Sequence, residues 1–404
     1  MNLFPMAWRN VWRNRRRTIV TVSAMSFALF VMILYSAMLE GYLEGMERSI
    51  LDLEVGDMQV FAGDFRENPS LYTVIEEPEK LIEPLSAEGF TASARVLAFG
   101  LAASGESSAG VSFRGVDVEQ DATVSNVHEE IAEGRWLDPD DLKGVVLGRR
   151  LARILAVGVG DEIVVLTQGS DGAMAYDLYD VRGILRGIAD ATDRSGVFLN
   201  QSALRELLEV PTGVHQIIVR RPEEVDLAQA AIRVSGFAPD LDVQTWRQLM
   251  PTLSSLLESS RSAMVMMSFI MYVAIGMLIL NAMLMAVFER IRELGVLKAL
   301  GVGPFEVLRL ILLESGIQTA LAMIAGTICA IPVVWYLRDT GLDLQSLAGV
   351  SVMGIAFDPH WRAVITVDVF TSPVVMLAIV VAIAVLYPAI KASTIRPVEA
   401  MHHH

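Results

Sequence analysis

The lysines of this chain lack the spacing from glycine that a phosphate-binding loop requires. Its four lysines are Lys80, Lys143, Lys298 and Lys391. None of them lies in a G-x-x-x-x-G-K-[ST] pattern, in which glycine-rich backbone holds the phosphates of a nucleotide. The sequence therefore predicts that this chain does not hydrolyse ATP through such a loop.

Metal chemistry and nucleophilic catalysis have equally little support. The histidines before the terminal run, His128, His215 and His360, form no pair at zinc-ligand spacing. The stretch GESSAG at 105–110 does not match G-x-S-x-G, and its flanks suit a hairpin turn. We expect no catalytic residue, no metal site and no cofactor in this chain. Residues 402–404 resemble the remnant of a purification tag.

The most regular charged segment is ERIRELGVLKALG, residues 289–301, between two apolar runs. Its spacing predicts a short amphipathic helix that ends at Gly301, where GVGP is a stop signal. Long apolar elements on both sides would place such a helix at a membrane surface.

Those elements are present. The chain has 404 residues, 53% of them hydrophobic, and a mean hydropathy of +0.47. About 20 apolar residues cross a bilayer as a helix. Runs of at least this length occur at 18–39 (TM1), 263–288 (TM2), 307–337 (TM3) and 369–390 (TM4). The first run is too long for a cleaved signal peptide, and we expect it to be an uncleaved anchor.

Charge indicates the orientation of these spans. Segments 1–17, 289–309 and 391–404 together hold 11 basic and four acidic residues, so the positive-inside rule makes them cytoplasmic. Both termini would then be cytoplasmic. Residues 40–262 hold 38 acidic and 19 basic residues and would lie outside. This acidity excludes nucleic acid as a partner.

The predicted organisation alternates membrane and water-exposed segments. In order it is an interfacial helix at 1–17, TM1, an external domain at 40–262 with stalk helices at 40–55 and 248–262, TM2, a cytoplasmic helix and loop at 289–306, TM3, a short external loop at 338–368, TM4 and a tail at 391–404. Cys329 is the single cysteine, so the external domain depends on its own apolar core.

The external domain is predicted to be α+β with two lobes. Strands are expected at 56–61, 91–103, 108–116, 144–148, 162–168, 177–185, 196–200 and 215–221, and helices at 78–85, 149–157, 200–210 and 225–236. Either Asn200 or Ser202 would cap the third of these helices. The full expectation is a membrane α-helical protein with an α+β domain, of porter-like and mainly-β lobes, inserted between TM1 and TM2.

The N-terminal AWRNVWRNRRR repeats W-R-N at a spacing of four. This spacing places Trp8 and Trp12 on one helical face and Arg9 and Arg13 on another. An interfacial amphipathic helix, with indoles at headgroup depth and arginines near anionic lipid, would have this pattern. A plain topology signal would require the arginines alone.

Two polar residues within the spans need partners. Asn281 in TM2 and Glu314 in TM3 would be costly in hydrocarbon unless they are paired. Glu314 could snorkel or pair with Arg309, or it could couple to protons.

The methionines of the spans allow two interpretations. Methionine suits surfaces that repack around varied apolar groups, so Met25, Met32, Met267 and Met271 could line a substrate cavity. Ordinary helix packing is the alternative.

The stretch NAMLMAVFERIRELGVLKALGVGPFEVLRLILLES resembles the most characteristic region of the MacB/FtsX/LolC-LolE superfamily of ABC-transporter permeases. The N-terminal AWRNVWRNRRRT, the external GVVLGRRLARILAVGVGDEIVVL and the C-terminal YPAIKASTIRPVEAM are similar to further motifs of that family. The order of one span, a large external domain and three spans also agrees.

The resemblance implies a mechanotransmission (type VII) permease, which is not itself an enzyme. The residues that would couple it to a cytoplasmic ATPase dimer are Glu289, Arg290, Arg292, Glu293, Gly295, Leu297, Lys298 and Gly301. ATP and Mg²⁺ would be bound by that partner. A second permease subunit, identical or different, membrane lipid and a periplasmic carrier or adaptor are the other implied partners.

The size and layout best match the lipoprotein-releasing branch of the family, which extracts lipoproteins from the inner membrane. Two alternatives remain. One is a MacB-like efflux permease working with a periplasmic adaptor, and the other is an FtsX-like regulator of a periplasmic cell-wall hydrolase.

Overall fold

The architecture comes from a computed structural model. The structure describes residues 3–210, 212–343, 351–352, 355–356 and 360–394. Two compact units are present: a helical unit of Met1–Gly45, Leu257–Leu344 and His360–His404, and an inserted unit of Met46–Leu256 and Gln345–Pro359. Most of the predicted tail at 391–404, and much of the loop at 338–368, lie outside the described residues.

The helices of the described chain follow in sequence order. They are α1 (Leu3–Arg13), α2 (Arg15–Ile50), α3 (Glu79–Ala87), α4 (Val118–Asp121), α5 (Arg149–Leu155), α6 (Asp190–Ser195), α7 (Gln201–Leu208), α8 (Leu227–Phe237), α9 (Trp246–Leu249), α10 (Pro251–Glu289), α11 (Ile291–Ala299), α12 (Pro304–Thr340) and α13 (Val367–Thr394). A π-helical turn at Leu51–Val55 follows α2, and a 3₁₀ turn lies at Val127–Glu129.

Four of the described helices, α2, α10, α12 and α13, are long and apolar enough to cross a membrane. The predicted number of spans and the fold class are therefore confirmed. Helix α2 begins at Arg15 rather than at residue 18, because the chain breaks from helix at Asn14, directly after α1. Helices α2 and α10 have 36 and 39 residues, well beyond the 20 or so that hydrocarbon requires.

Small residues bring the helices of the helical unit together. A Cβ added at Gly326 of α12 would lie 2.8 Å from the carbonyl oxygen of Ser26 in α2. The Ser26 hydroxyl donates to the Ala322 carbonyl over 3.2 Å. Close backbone approach with a hydroxyl bond is the usual packing of helices in lipid. Further along α2, the Trp361 indole donates to the Met38 carbonyl over 2.7 Å.

The strands of the described chain number fourteen. They are β1 (Met58–Ala62), β2 (Thr91–Ser104), β3 (Ser107–Val116), β4 (Ile131–Gly134), β5 (Gly144–Leu147), β6 (Glu162–Gln168), β7 (Met174–Leu185), β8 (Gly196–Asn200), β9 (Gln216–Arg220), β10 (Leu241–Thr245), β11 (Leu342–Asp343), β12 (Ser351–Val352), β13 (Ile355–Ala356) and β14 (His360–Trp361). The last four form two short antiparallel pairs, β11 with β14 and β12 with β13.

Six strands of the inserted unit close into a ring. Each of β2, β3, β8, β5, β7 and β6 pairs with the next, and β6 pairs back to β2. The first half of β2 instead pairs with β9, which continues through β1 to β10 as an open sheet. A closed mainly-β lobe and an open lobe covered by α3 and α8 therefore share strand β2, and this arrangement agrees with the predicted two lobes.

The predicted strands and helices of this unit are all present, and the GESSAG stretch forms the β2–β3 hairpin. Asn200 caps α7, because its side chain accepts from the Ser202 amide over 2.9 Å. The short strands β4 and β10 were missed, since four or five residues at the edge of a sheet carry little alternation. A buried ion pair, Arg95 with Asp121 at 2.6 and 2.8 Å, attaches α4 to β2.

Candidate functional site

Helix α1 packs on α12 through its small apolar face. Ala7 and Val11 are buried against the helical unit, whereas Trp8 and Trp12 are 45% and 42% exposed. The two indoles meet edge to face with their centroids 6.0 Å apart, and Arg9 and Arg13 are exposed as well. The placement agrees with the predicted amphipathic helix, and its position at the lipid headgroups stays a prediction.

A charge cluster lies where α1, the start of α11 and the first third of α12 meet. Its centre is Glu314, which is buried in α12. One carboxylate oxygen of Glu314 accepts from the Asn10 amide over 2.6 Å, and the other accepts from the Arg290 guanidinium. Glu314 therefore joins three helices that are distant in the sequence.

The expected pairing of Glu314 with Arg309 is wrong. These residues are five positions apart on one helix, and such a separation turns the side chains to different faces, whereas neighbours are three or four apart. Arg309 instead lies over the Phe305 ring, 4.5 Å from its centroid.

The cluster continues outward through Glu293 of α11. Its carboxylate pairs with Arg13 of α1 and accepts from Arg290 Nε over 3.3 Å. Burial would raise the pKa of Glu293, but the hydrogen bonds from Arg13 and Arg290 outweigh it and lower that pKa. Arg17 adds a longer contact of 3.4 Å to Glu289.

Arg290 connects the inner and outer parts of the cluster. Burial by itself would lower the pKa of Arg290, yet the ion pair with Glu314 and the hydrogen bonds to its two carboxylates raise it. The guanidinium therefore stays charged.

The far end of α11 is attached as well. Lys298 Nζ donates to the Ser393 carbonyl of α13 over 2.6 Å. Gly301 adopts φ of +95°, a left-handed conformation that ends the helix, and the Val302 amide donates to the Leu297 carbonyl over 3.1 Å. The helix itself stops at Ala299, two residues before the predicted end.

The two faces of α11 have different surroundings, and the predicted contact of its charges with a partner stays a prediction. Glu293 and Arg290 are engaged within the chain, and Gly295 is buried, while Leu297 packs on the apolar core. The outward stripe consists of Arg292, Val296 and Leu300, at a spacing of four; Val296 is 50% and Leu300 78% exposed.

The four methionines differ in exposure, and the substrate cavity predicted for them stays a prediction. Met25 and Met32 are buried in the core of the helical unit, whereas Met267 is 51% exposed and Met271 is half-buried. Asn281 is exposed on α10. Sequence reasoning also missed Asn10 and Arg17 as cluster members, although the asparagine of the W-R-N repeat was a visible signal. Within the described residues no group of His, Cys, Asp and Glu could hold a metal ion.

Both parts of this architecture match known protein families. Residues 18–236, more than half of the chain, match the family model for the MacB-like periplasmic core domain, and residues 265–397 match that for the FtsX-like permease C-terminal domain. The chain is 24% identical over 308 residues to the lipoprotein-releasing system transmembrane protein LolC of Xylella fastidiosa, covering 72% of each protein.

Two further similarities are weaker. An uncharacterised ABC transporter permease of Methanocaldococcus jannaschii is 28% identical over 211 residues, which cover 50% of this chain and 51% of that protein. The periplasmic region of MacB from Actinobacillus actinomycetemcomitans aligns with a TM-score of 0.37 at 15% identity, over 49% of this chain and 92% of that one. On the evidence of the two family matches, this chain belongs to the MacB/FtsX/LolC superfamily of ABC-transporter permeases.

Proposed function

We propose that this permease transmits the ATP-driven movement of a separate ABC ATPase dimer to its inserted domain, and so releases lipid-anchored proteins from the bacterial inner membrane. The observation that supports the transmission is the charge cluster. Glu314 binds both α1 and the start of α11, and Lys298 binds α11 to α13. A push on α11 would therefore reach α1, α12 and α13 together.

The orientation in this proposal follows from charge. The end of the helical unit that carries α1 and α11 is rich in arginine, so it would face the cytoplasm, with both termini on that side. ATP and Mg²⁺ would be bound by the ATPase. This permease would be non-catalytic and would pair with a second permease subunit.

The outward stripe of α11 is the proposed docking face for the ATPase. Arg292, Val296 and Leu300 point away from the chain's own core, and Phe305 at the start of α12 is 61% exposed. Apolar side chains rimmed by an arginine are typical of buried anchors in protein interfaces. The cluster residues Arg290 and Glu293 would hold α11 in place and would not meet the partner.

Copurification tests the docking face. The full chain is expressed with its cognate ATPase, and the ATPase is pulled down through a tag. Leu300→Asp should abolish recovery of the permease, because it puts a charge in the centre of the interface. Val367→Asp is the matched control, since Val367 is 77% exposed at the start of α13. An intact, ATP-hydrolysing complex with Leu300→Asp would refute the docking assignment.

The substrate class is supported by the LolC relatives, whose names describe a lipoprotein-releasing system. A photo-crosslinking residue at Met267, which is exposed on α10, should capture proteins that carry metabolically labelled acyl chains. The same residue at Ile383, 68% exposed on α13, serves as the control. Adducts without label at Met267, or equal capture at both positions, would exclude lipid-anchored proteins as the substrate.

A further inference from the structure

A small cavity lies within the helical unit beside the charge cluster. Thr21 of α2, Met283 of α10, and Glu314 and Gln318 of α12 line it, together with Arg290. Its volume is about 20 Å³. A cavity of roughly 10–15 Å³ is large enough for one water molecule if polar groups surround it.

Among the described residues, Gln318 is one of the polar cavity-lining residues whose side chain has no hydrogen bond. Its side chain is 7% exposed and lines the cavity, and in the described part of the chain its amide has no hydrogen bond. The neighbouring hydroxyls are satisfied by their own helix: Ser315 donates to the Ile311 carbonyl over 2.9 Å, and Thr319 to the Ser315 carbonyl over 2.8 Å. An amide shielded from bulk water and left unpaired is unfavourable.

The Glu314 carboxylate can accept further hydrogen bonds. A carboxylate offers about four acceptor positions, and the cavity-lining Glu314 uses one oxygen for Asn10 and the other for Arg290. Gln318 follows Glu314 by four residues, so the two side chains lie one above the other on α12. Both line the same cavity.

We propose that this cavity binds one water molecule, which accepts from the Gln318 amide and donates to the Glu314 carboxylate. The inference goes beyond the proposed transport, because it names a solvent site within the helical unit and depends on neither substrate nor ATPase. The water gives Glu314 an additional partner. When α11 moves, the bond between Arg290 and Glu314 can then lengthen while Asn10 and the water still donate to the carboxylate.

X-ray radiolytic labelling of the full chain tests the site, because a bound water is converted to hydroxyl radical where it sits. Met283 lines the cavity and is 8% exposed, whereas Met25 is 3% exposed in the same core and does not line it. Mass spectrometry should find Met283 oxidised severalfold faster than Met25. Equal rates in the unmodified protein would overturn the proposal, whether or not any variant folds.

Variants then assign the water to Gln318. Gln318→Leu replaces the amide with an apolar group, and it should reduce the Met283 rate to that of Met25. Ser315→Ala is the matched control, since its hydroxyl bonds only to its own helix. Exposed Met267 should label equally in all three proteins and so report equal dose. An unchanged Met283 rate in folded Gln318→Leu would also overturn the proposal.

Discussion

Arg290 and Glu314 form an ion pair whose side chains are only 14% and 10% exposed. The pair lies between the end of α10 and the side of α12. Two charges removed from water in this way compensate each other, so each depends on its partner more than an exposed pair does. Removal of one member is therefore worse than removal of both.

The first prediction concerns this dependence. Glu314→Leu or Arg290→Met alone should lower the free energy of unfolding by about 3–5 kcal/mol, because one buried charge is left uncompensated. The double variant should recover most of that loss. Thermal unfolding in detergent, followed by tryptophan fluorescence, compares the stability of the unmodified protein, the two single variants and the double variant. A double variant as unstable as the sum of the singles would show that the two charges do not compensate each other.

The second prediction is a pH dependence at Glu293. The folded state lowers the pKa of Glu293 from its ordinary value of 4.5. A lowered pKa stabilises the folded protein at pH values above the ordinary pKa. This contribution to stability is lost as the pH falls through the pKa of the folded state. The stability difference between the unmodified protein and Glu293→Gln should thus be constant from neutral pH to about 4.5 and shrink below it. A difference that grows on acidification would contradict the assignment.

The third prediction separates the outer ion pair from the inner one. Arg13 and Glu293 are 56% and 50% exposed at their side chains, so their coupling energy should be below about 1 kcal/mol. Their effect on transport should nevertheless be visible. Arg13→Glu and Glu293→Arg should each weaken coupling of ATP hydrolysis to substrate release, and the double exchange should restore part of it. If the double exchange were no better than either single, α1 and α11 would not communicate through this pair.

The fourth prediction tests the contact between α2 and α12. Gly326→Ala places a Cβ 2.8 Å from the Ser26 carbonyl oxygen and should force the helices apart, lowering the melting temperature. Gly316→Ala is the matched control on the same helix, because nothing lies within 4 Å of its added Cβ. It should be neutral or slightly stabilising, since alanine favours helix over glycine by up to about 1 kcal/mol. Equal melting temperatures would show that the close contact is not needed.

Much of the fold could be predicted because its signals are local. Apolar runs of the right length marked the spans, and alternation bounded by glycine and aspartate marked eight strands of the inserted unit. The edge strands β4 and β10 were missed because pairing with a neighbour, and not their own pattern, makes them strands.

The candidate site could be predicted only in part. The motif identified Arg290 and Glu293, but it did not show that both pair with residues of this chain, because that depends on where α1 and α12 lie. Arg309 was chosen for Glu314 by proximity in sequence, whereas the true partners, Asn10 and Arg290, come from other helices. Gln318 carried no signal at all, since its lack of a partner is a property of the packed helices.

Strand β2 has a mechanical consequence for the inserted domain. Its 14 residues belong first to the open lobe, through β9, and then to the closed ring, through β3 and β6. An extended strand of this length measures about 46 Å. It therefore connects the two lobes rigidly, because it is hydrogen-bonded into both sheets. Flexing one lobe against the other would break ladder hydrogen bonds, so the two lobes of the inserted domain should move together as one stiff body.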